Sequence, residues 1–485
     1  MFQTRFRHGR TTGLGVLAVT AALVMAACGS QLDPDEVVGL SAPGSGTSVA
    51  PDGSVVDPGT VPGTDPTVPG TDTGTDTGAD TPRTGDQGGA EPPPGGTEDN
   101  EADGGVQAGS CEGFDNNQTG VTADTITLAN ISDISGPVPG IFEAAQQGTR
   151  AFIEYFNSSQ DLCGHKLAVE LLDSRADAGA DQQGYATACD KAFAAVGSMG
   201  AFDSGGAATA AGCGLPDLRS TSTTPERNKC ATCFSAQAVT PHLIPSAVPK
   251  FFLKEYRDAA ENVGFLYINA GAAAPNAQFQ KNAWVKAGWG VKYFQGIDVA
   301  EFNFAPYVQQ MKDKGVKMVV YLGPYQNTVK IQQAMQQQNF EAMFMQDPTI
   351  YDQGYVDQAG SLGDGSFVYA TTELFTSNNP EMKLYRAWLD QVSPGADPNF
   401  YGLYAWSAAR LFVETAVKLG GDLTRASMVA ELKKVKDWTS NGMHAPQQVG
   451  TKVTANCIKM IQLNGGSWKQ VSPGDYMCEP LINGS

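Results

Sequence analysis

Two short stretches concentrate small hydroxyl and glycine residues: Gly200-Ala-Phe-Asp-Ser-Gly-Gly206 and Arg219-Ser-Thr-Ser-Thr-Thr-Pro-Glu226. Short hydroxyl side chains let a backbone approach a bound molecule closely, and amides left free at a helix start attract an anion. Ser204, Thr221, Ser222 and Thr223 are therefore candidates for holding a small polar ligand, although the same residue types are ordinary turn formers. A nucleophilic role for Ser204 would need a neighbouring base. Only four histidines occur, His8, His165, His242 and His444, and none sits in a sequence context that suggests one. The chain also lacks GxSxG, HExxH, a phosphate loop and a GxGxxG placed between strand and helix, so we expect a binding protein, not an enzyme, with no cofactor or metal.

Nine cysteines offer a second chemistry. Setting Cys28 aside leaves an even number, which in an exported chain suggests disulfides among Cys111, Cys163, Cys189, Cys213, Cys230, Cys233, Cys457 and Cys478. Connectivity does not follow from spacing, but a Cys457–Cys478 bond would close a C-terminal hairpin and a Cys189–Cys213 bond would tie two consecutive helices. Cys230-Ala-Thr-Cys233 has redox-motif spacing, yet it starts no helix of a thioredoxin-like unit and supplies half a zinc site at most. It reads as a structural disulfide.

Export is read from the N-terminus. Arg5, Arg7 and Arg10 precede an apolar run from Leu14 to Met25 that ends in Ala26-Ala27-Cys28. The run is too short to span a bilayer and suits a signal peptide over residues 1–27. Small residues before a cysteine resemble the lipobox of bacterial lipoproteins, with Met25 where Leu is usual, and this makes Cys28 the expected lipidation site and membrane anchor. Residues 28–110 are rich in Gly, Pro, Thr and Asp and cannot bury a core. We expect a disordered tether, whose 80 or so residues would reach roughly 50 Å even as a flexible coil. Net charge is −19, and between Gly29 and Ser110 fifteen Asp or Glu stand against one Arg. What remains is mildly acidic, without the basic surface that nucleic acid requires.

From Thr125 the composition changes to short β-branched runs alternating with amphipathic stretches, beginning with Thr125-Ile-Thr-Leu-Ala-Asn-Ile131 before a helix over 141–156. Strands at 167–172 and 196–199 and helices at 180–194 and 207–213 complete a first unit. Helices at 246–256, 277–287, 304–314 and 326–338 alternate with strands at 263–268, 291–294, 317–322 and 342–345 to form a second. The pattern predicts an α/β fold of two doubly wound, Rossmann-like lobes joined by a hinge. Helices at 382–392, 400–418 and 427–435 need a lobe to pack on, and 458–463 with 468–471 reads as a hairpin.

Residues 121 to about 475 resemble the type I periplasmic-binding family, in the branch that contains Leu/Ile/Val-binding proteins. The resemblance rests on Ile131-Ser-Asp-Ile-Ser-Gly-Pro137, on Gly148 and Ala151, on Leu172-Asp-Ser-Arg-Ala-Asp177, and on the two hydroxyl-rich stretches. It implies lobe one from 111–238 with 372–450 and lobe two from 239–371 with 451–485. It also implies that Ser204 binds a ligand carboxylate while Thr221, Ser222 and Thr223 surround the polar end. In the second lobe Tyr325 stands where the family has a ligand-facing Tyr, and Asp347 is the candidate acid. Phe142 is a candidate apolar wall. Asn269-Ala-Gly-Ala-Ala-Ala-Pro-Asn276 departs from the family's Asp-loop-Tyr-Gly segment, so an amide or another small solute is as good an expectation as a branched-chain amino acid. The implied role is that of a monomeric, lipid-anchored, extracytoplasmic solute-binding protein feeding an ABC transporter permease. The alternative is an envelope sensor or scaffold on the same fold.

Overall fold

A computed structural model of the chain describes residues 108–485. The expected signal peptide, the lipidation site Cys28 and the tether as far as residue 107 lie outside the described residues.

Two sheets organise the described chain. The first contains β1 (Thr125–Ser132), β2 (Lys166–Asp173), β3 (Ala194–Val196), β4 (Asp217–Thr221) and β5 (Cys233–Gln237), all parallel, in the order β2-β1-β3-β4-β5. The central strands are buried on both faces, as parallel strands covered by helices must be. After a short edge pairing through β6 (Leu243–Pro245), the second sheet repeats the plan with β7 (Val263–Ile268), β8 (Val291–Ile297), β9 (Met318–Leu322), β10 (Met343–Gln346) and β11 (Phe367–Ala370). Its order is β8-β7-β9-β10-β11, extended by the antiparallel β12 (Cys457–Asn464) and β13 (Ser467–Gln470). In both sheets the direction of winding reverses between the first and third strands, which leaves a crevice at their carboxyl ends.

The helices begin where the sequence supplies caps. Asp177 accepts from the Ala180 amide at the start of Ala178–Lys191, and Asn379 caps Pro380–Val392, whose proline at the first position needs no donor. Asn399 caps the longest helix, Phe400–Leu419, which is buried on most of its surface and lies against the helix Glu143–Ser159. Their contact point shows why Gly148 matters: a Cβ there would stand 2.1 Å from the Gly402 carbonyl oxygen, so the two backbones touch. The core beside the first sheet is built around Phe152, Phe156, Trp406 and Phe412, while the second sheet has apolar layers on both faces.

Several strands go beyond the expected pattern, β4, β5, β6 and β11 among them. The stretch from Arg219 carries no strand signal, because a charged residue and a run of hydroxyls break the apolar pattern. Its first three residues, Arg219 to Thr221, instead complete the buried strand β4, made possible because Arg219 is paired inside the protein. The structure joins Cys111 to Cys163, Cys189 to Cys213, Cys230 to Cys233 and Cys457 to Cys478.

Candidate ligand-binding site

The two winding-reversal points face each other across a cavity of about 220 Å³. From the first sheet come Asp133, after β1, and Met199, Ala201 and Phe202, after β3. From the second come Ile268, Ala270, Ala272 and Ala273, at and after the end of β7, and Leu322 to Pro324, at and after the end of β9. Three contacts join the sides directly. The Ala272 amide donates to the Ala201 carbonyl at 3.0 Å, Asn276 Nδ2 donates to the Thr223 carbonyl at 3.1 Å, and the Thr349 and Tyr401 hydroxyls lie 3.4 Å apart. Gly271 permits the approach: its φ is +51°, and a Cβ would stand 2.7 Å from the Ala201 carbonyl oxygen.

Phe142, Thr223 and Asp347 line this cavity, whereas Ser204, Thr221, Ser222 and Tyr325 do not. The reason is local in each case. Thr221 ends β4 and, at 3.5 Å, its hydroxyl faces the Gln237 carbonyl on β5. Ser222 pairs with Ser235 at 3.0 Å inside the first sheet's layer. Ser204 sits in the turn before the helix Ala207–Gly212, and Tyr325 opens the helix Tyr325–Gln337 with its hydroxyl beside Gly354. Tyr401, Thr349, Asn276 and Asp133 also line the cavity, together with an apolar wall that includes Ile141, Ile268 and Leu322. Tyr401 meets Phe142 edge to face with ring centroids 4.9 Å apart. Asp133 stood inside the Ile131–Pro137 motif, and its position directly after a strand was the signal for it. Tyr401 had none, because it lies on a helix some 200 residues away in the chain.

The carboxylates of the first side are turned to internal work. Asp133 Oδ1 accepts from the Ser174 hydroxyl at 2.6 Å and the Ala176 amide at 3.0 Å, while Oδ2 accepts from the Ala201 amide at 2.8 Å. Asp203 accepts from the Thr223 amide at 2.8 Å and the Thr224 hydroxyl at 2.5 Å. Behind these loops Arg227 is fully buried. It donates to Asp217 at 2.9 Å, to Asp181 at 2.9 Å and to the Asp203 carbonyl at 2.7 Å, and lies over the Tyr185 ring. Arg219 is buried beside it, bonded to the Tyr185 hydroxyl and within 3.8 Å of both Asp203 and Asp217. Burial raises the carboxyls of Asp217 and Asp181, and the two guanidiniums counter that rise.

Asp347 on the second side has no such cation. Its Oδ1 accepts both bonds from Thr349, from the amide at 3.0 Å and the hydroxyl at 2.5 Å, leaving Oδ2 for the cavity. It keeps a partly accessible edge there but is otherwise hemmed in by protein, and this desolvation pushes its carboxyl up to about 6. Tyr321, Tyr369 and Tyr401 surround it, and burial raises each of their hydroxyls.

The comparisons with known proteins agree with this architecture. The family model described as periplasmic binding protein matches residues 125–467. The Leu/Ile/Val-binding protein homolog 1 of Brucella suis biovar 1 (strain 1330) is 22% identical over 303 residues, covering 60% of this chain and 77% of that protein. Among solved structures, a fatty acid ABC transporter substrate-binding protein from Thermomonospora curvata superposes with a TM-score of 0.64 at 14% identity, over 76% of this chain and 94% of its own. The branched-chain amino acid transporter substrate-binding protein LivJ of Streptococcus pneumoniae, in complex with isoleucine, gives 0.63 at 16% identity, over 72% and 100%. With its two facing sheets of matching winding order and a family match spanning most of its length, the chain belongs to the periplasmic binding protein family.

Proposed function

We propose that the chain is the extracytoplasmic solute-binding subunit of an ABC importer, which captures a small molecule between two lobes and delivers it to a membrane permease. The observation that carries this reading is the cavity at the two facing winding-reversal points, lined by residues of both sheets. A ligand that touches both sides stabilises the closed arrangement over the open one, and that difference in contact is what drives a hinge. Lobe one then comprises 111–238 with 372–450 and lobe two 239–371 with 451–485, hinged where the chain passes from one sheet to the other. In the same reading Cys28 carries the lipid anchor, residues 28–110 tether the lobes to the outer face of the membrane, and the protein works as a monomer without bond-making chemistry. Of the residues expected from sequence, Phe142, Thr223 and Asp347 act at the ligand, joined by Tyr401, Thr349 and Asn276. A small organic solute is the class that the relatives and the size of the cavity support, an amino acid, branched-chain or otherwise, or an amide-like compound being the expectation from sequence.

The test is a thermal-shift panel of amino acids, amides, amines, small organic acids and sugars. A molecule that binds only the folded state must raise its melting temperature, by about 2.7 kcal/mol of added stability at a hundredfold excess over Kd. At least one class should do so, and silence across the panel contradicts the proposal.

A further inference from the structure

Within that reading, we propose that the solute is an apolar amine: a compact hydrocarbon body bearing an ammonium group and no carboxylate. The inference rests on which polar atoms of the cavity are still free to bond. Thr223 Oγ1 donates to the Gly200 carbonyl at 2.9 Å, so towards a ligand it can only accept. Thr349 Oγ1 gives its hydrogen to Asp347 and likewise offers lone pairs. Asn276 donates through Nδ2 to Thr223, so that amide group is committed to the protein, and its Oδ1 is buried without a hydrogen-bond partner. Asp347 keeps Oδ2. Among the described residues Tyr401 is the one hydroxyl lining the cavity whose hydrogen is not committed to a backbone or carboxylate oxygen.

An anion would need the opposite arrangement. Among the described residues no Lys, Arg or His lines the cavity. In the two loops to which the family resemblance assigns a ligand carboxylate, the amides of Ala201, Thr223 and Gly206 already donate to Asp133, Asp203 and Asp181. A carboxylate placed there would displace a protein carboxylate from its bonds and face Asp133 and Asp347 across a cavity with no compensating cation, and burying an unpaired like charge is costly. An ammonium meets the reverse conditions. Its three hydrogens match Asp347 Oδ2 and the neighbouring acceptors, and its hydrocarbon body fits against Ile141, Phe142, Ile268 and Leu322.

The experiment uses matched triplets on the intact chain, followed by thermal shift and calorimetry: leucine, 3-methylbutylamine and 4-methylpentanoate, then phenylalanine, 2-phenylethylamine and 3-phenylpropanoate. Within each triplet the body is conserved and only the head changes. The amines should bind at least about tenfold more tightly than the matching acids and amino acids, and Asp347→Asn should weaken the amines by about 30-fold, the loss expected when one partner of a buried charge pair is neutralised. Amine affinity should also fall as pH drops below 6, where Asp347 takes up its proton; burial raises the Asp133 carboxyl too, while its bonds from Ser174, Ala201 and Ala176 counter that rise, so the pH dependence assigned to Asp347 is the part that Asp347→Asn removes. Tighter binding of an acid or amino acid overturns the amine assignment and leaves the solute-binding reading standing. No binding by any of the six compounds overturns the amine assignment alone; the solute-binding reading falls only if the wider thermal-shift panel is silent as well.

Discussion

The two sides of the cavity solve the problem of buried charge in opposite ways. On the first side three carboxylates, Asp181, Asp203 and Asp217, share two buried guanidiniums, and the loops that reach the cavity are tied back into that network. On the second, Asp347 stands among tyrosines with hydrogen bonds from Thr349 alone. The first arrangement holds backbone in place. The second stores an unmet demand for a cation, which a ligand can supply. A lobe that is rigid at the rim and a lobe that presents an under-compensated charge together give a site that gains most when it closes on the right molecule.

The largest effect should come from breaking the first side. Arg227→Met removes a cation that bonds two carboxylates and a carbonyl, leaving buried charge uncompensated, and should cost about 3–5 kcal/mol, read as a lower urea midpoint with an unchanged slope. A loss below 1 kcal/mol would mean that the network is not what holds these loops. On the second side the same kind of change should do the reverse. A carboxyl whose value is higher folded than unfolded binds its proton more tightly in the folded state. Its penalty is therefore absent below the unfolded value, near 4, and grows as pH rises through the folded value, about 6. Asp347→Asn should accordingly stabilise the ligand-free protein at pH 8 by on the order of 2 kcal/mol and leave it unchanged at pH 3.5. Equal melting temperatures of the two proteins at both pH values would sink the contrast between the sides. A smaller effect is expected where the sides meet. Gly271→Ala introduces a Cβ against the Ala201 carbonyl and forces a left-handed backbone on alanine, so ligand affinity should fall by about 5- to 10-fold, with a cost of roughly 1–2 kcal/mol concentrated in the closed form.

The same contrast explains what could be read from the sequence. The alternation of strands and helices from Thr125 onward shows the fold class, because parallel strands need apolar runs and helices need a 3.6-residue stripe. It also points to the ends of strands as the place for a ligand, which is where Asp133, Leu322 and Asp347 stand. Which side chain at a strand end faces the cavity is a matter of register, and one residue of shift reverses it. Thr221 and Thr223 are two apart, yet one is inside a strand and the other lines the cavity, because β4 runs on to Thr221. The buried pairing of Arg219 and Arg227 was equally invisible, since the aspartates that neutralise them lie on separate segments. Tyr401 reaches the site only through the return of the chain to the first sheet's layer, which no local pattern announces.

The central claim, that ligand is held by both sides at once and closes them, is tested most directly by a distance across the mouth of the cavity. Spin labels at the exposed Arg175 and Ala300, next to the lining residues Ala176 and Val299, would report it with and without the compound that gives the largest thermal shift. A ligand-induced change from a broad, longer distribution to a single shorter one is the predicted result. An identical distribution in both states would contradict the account.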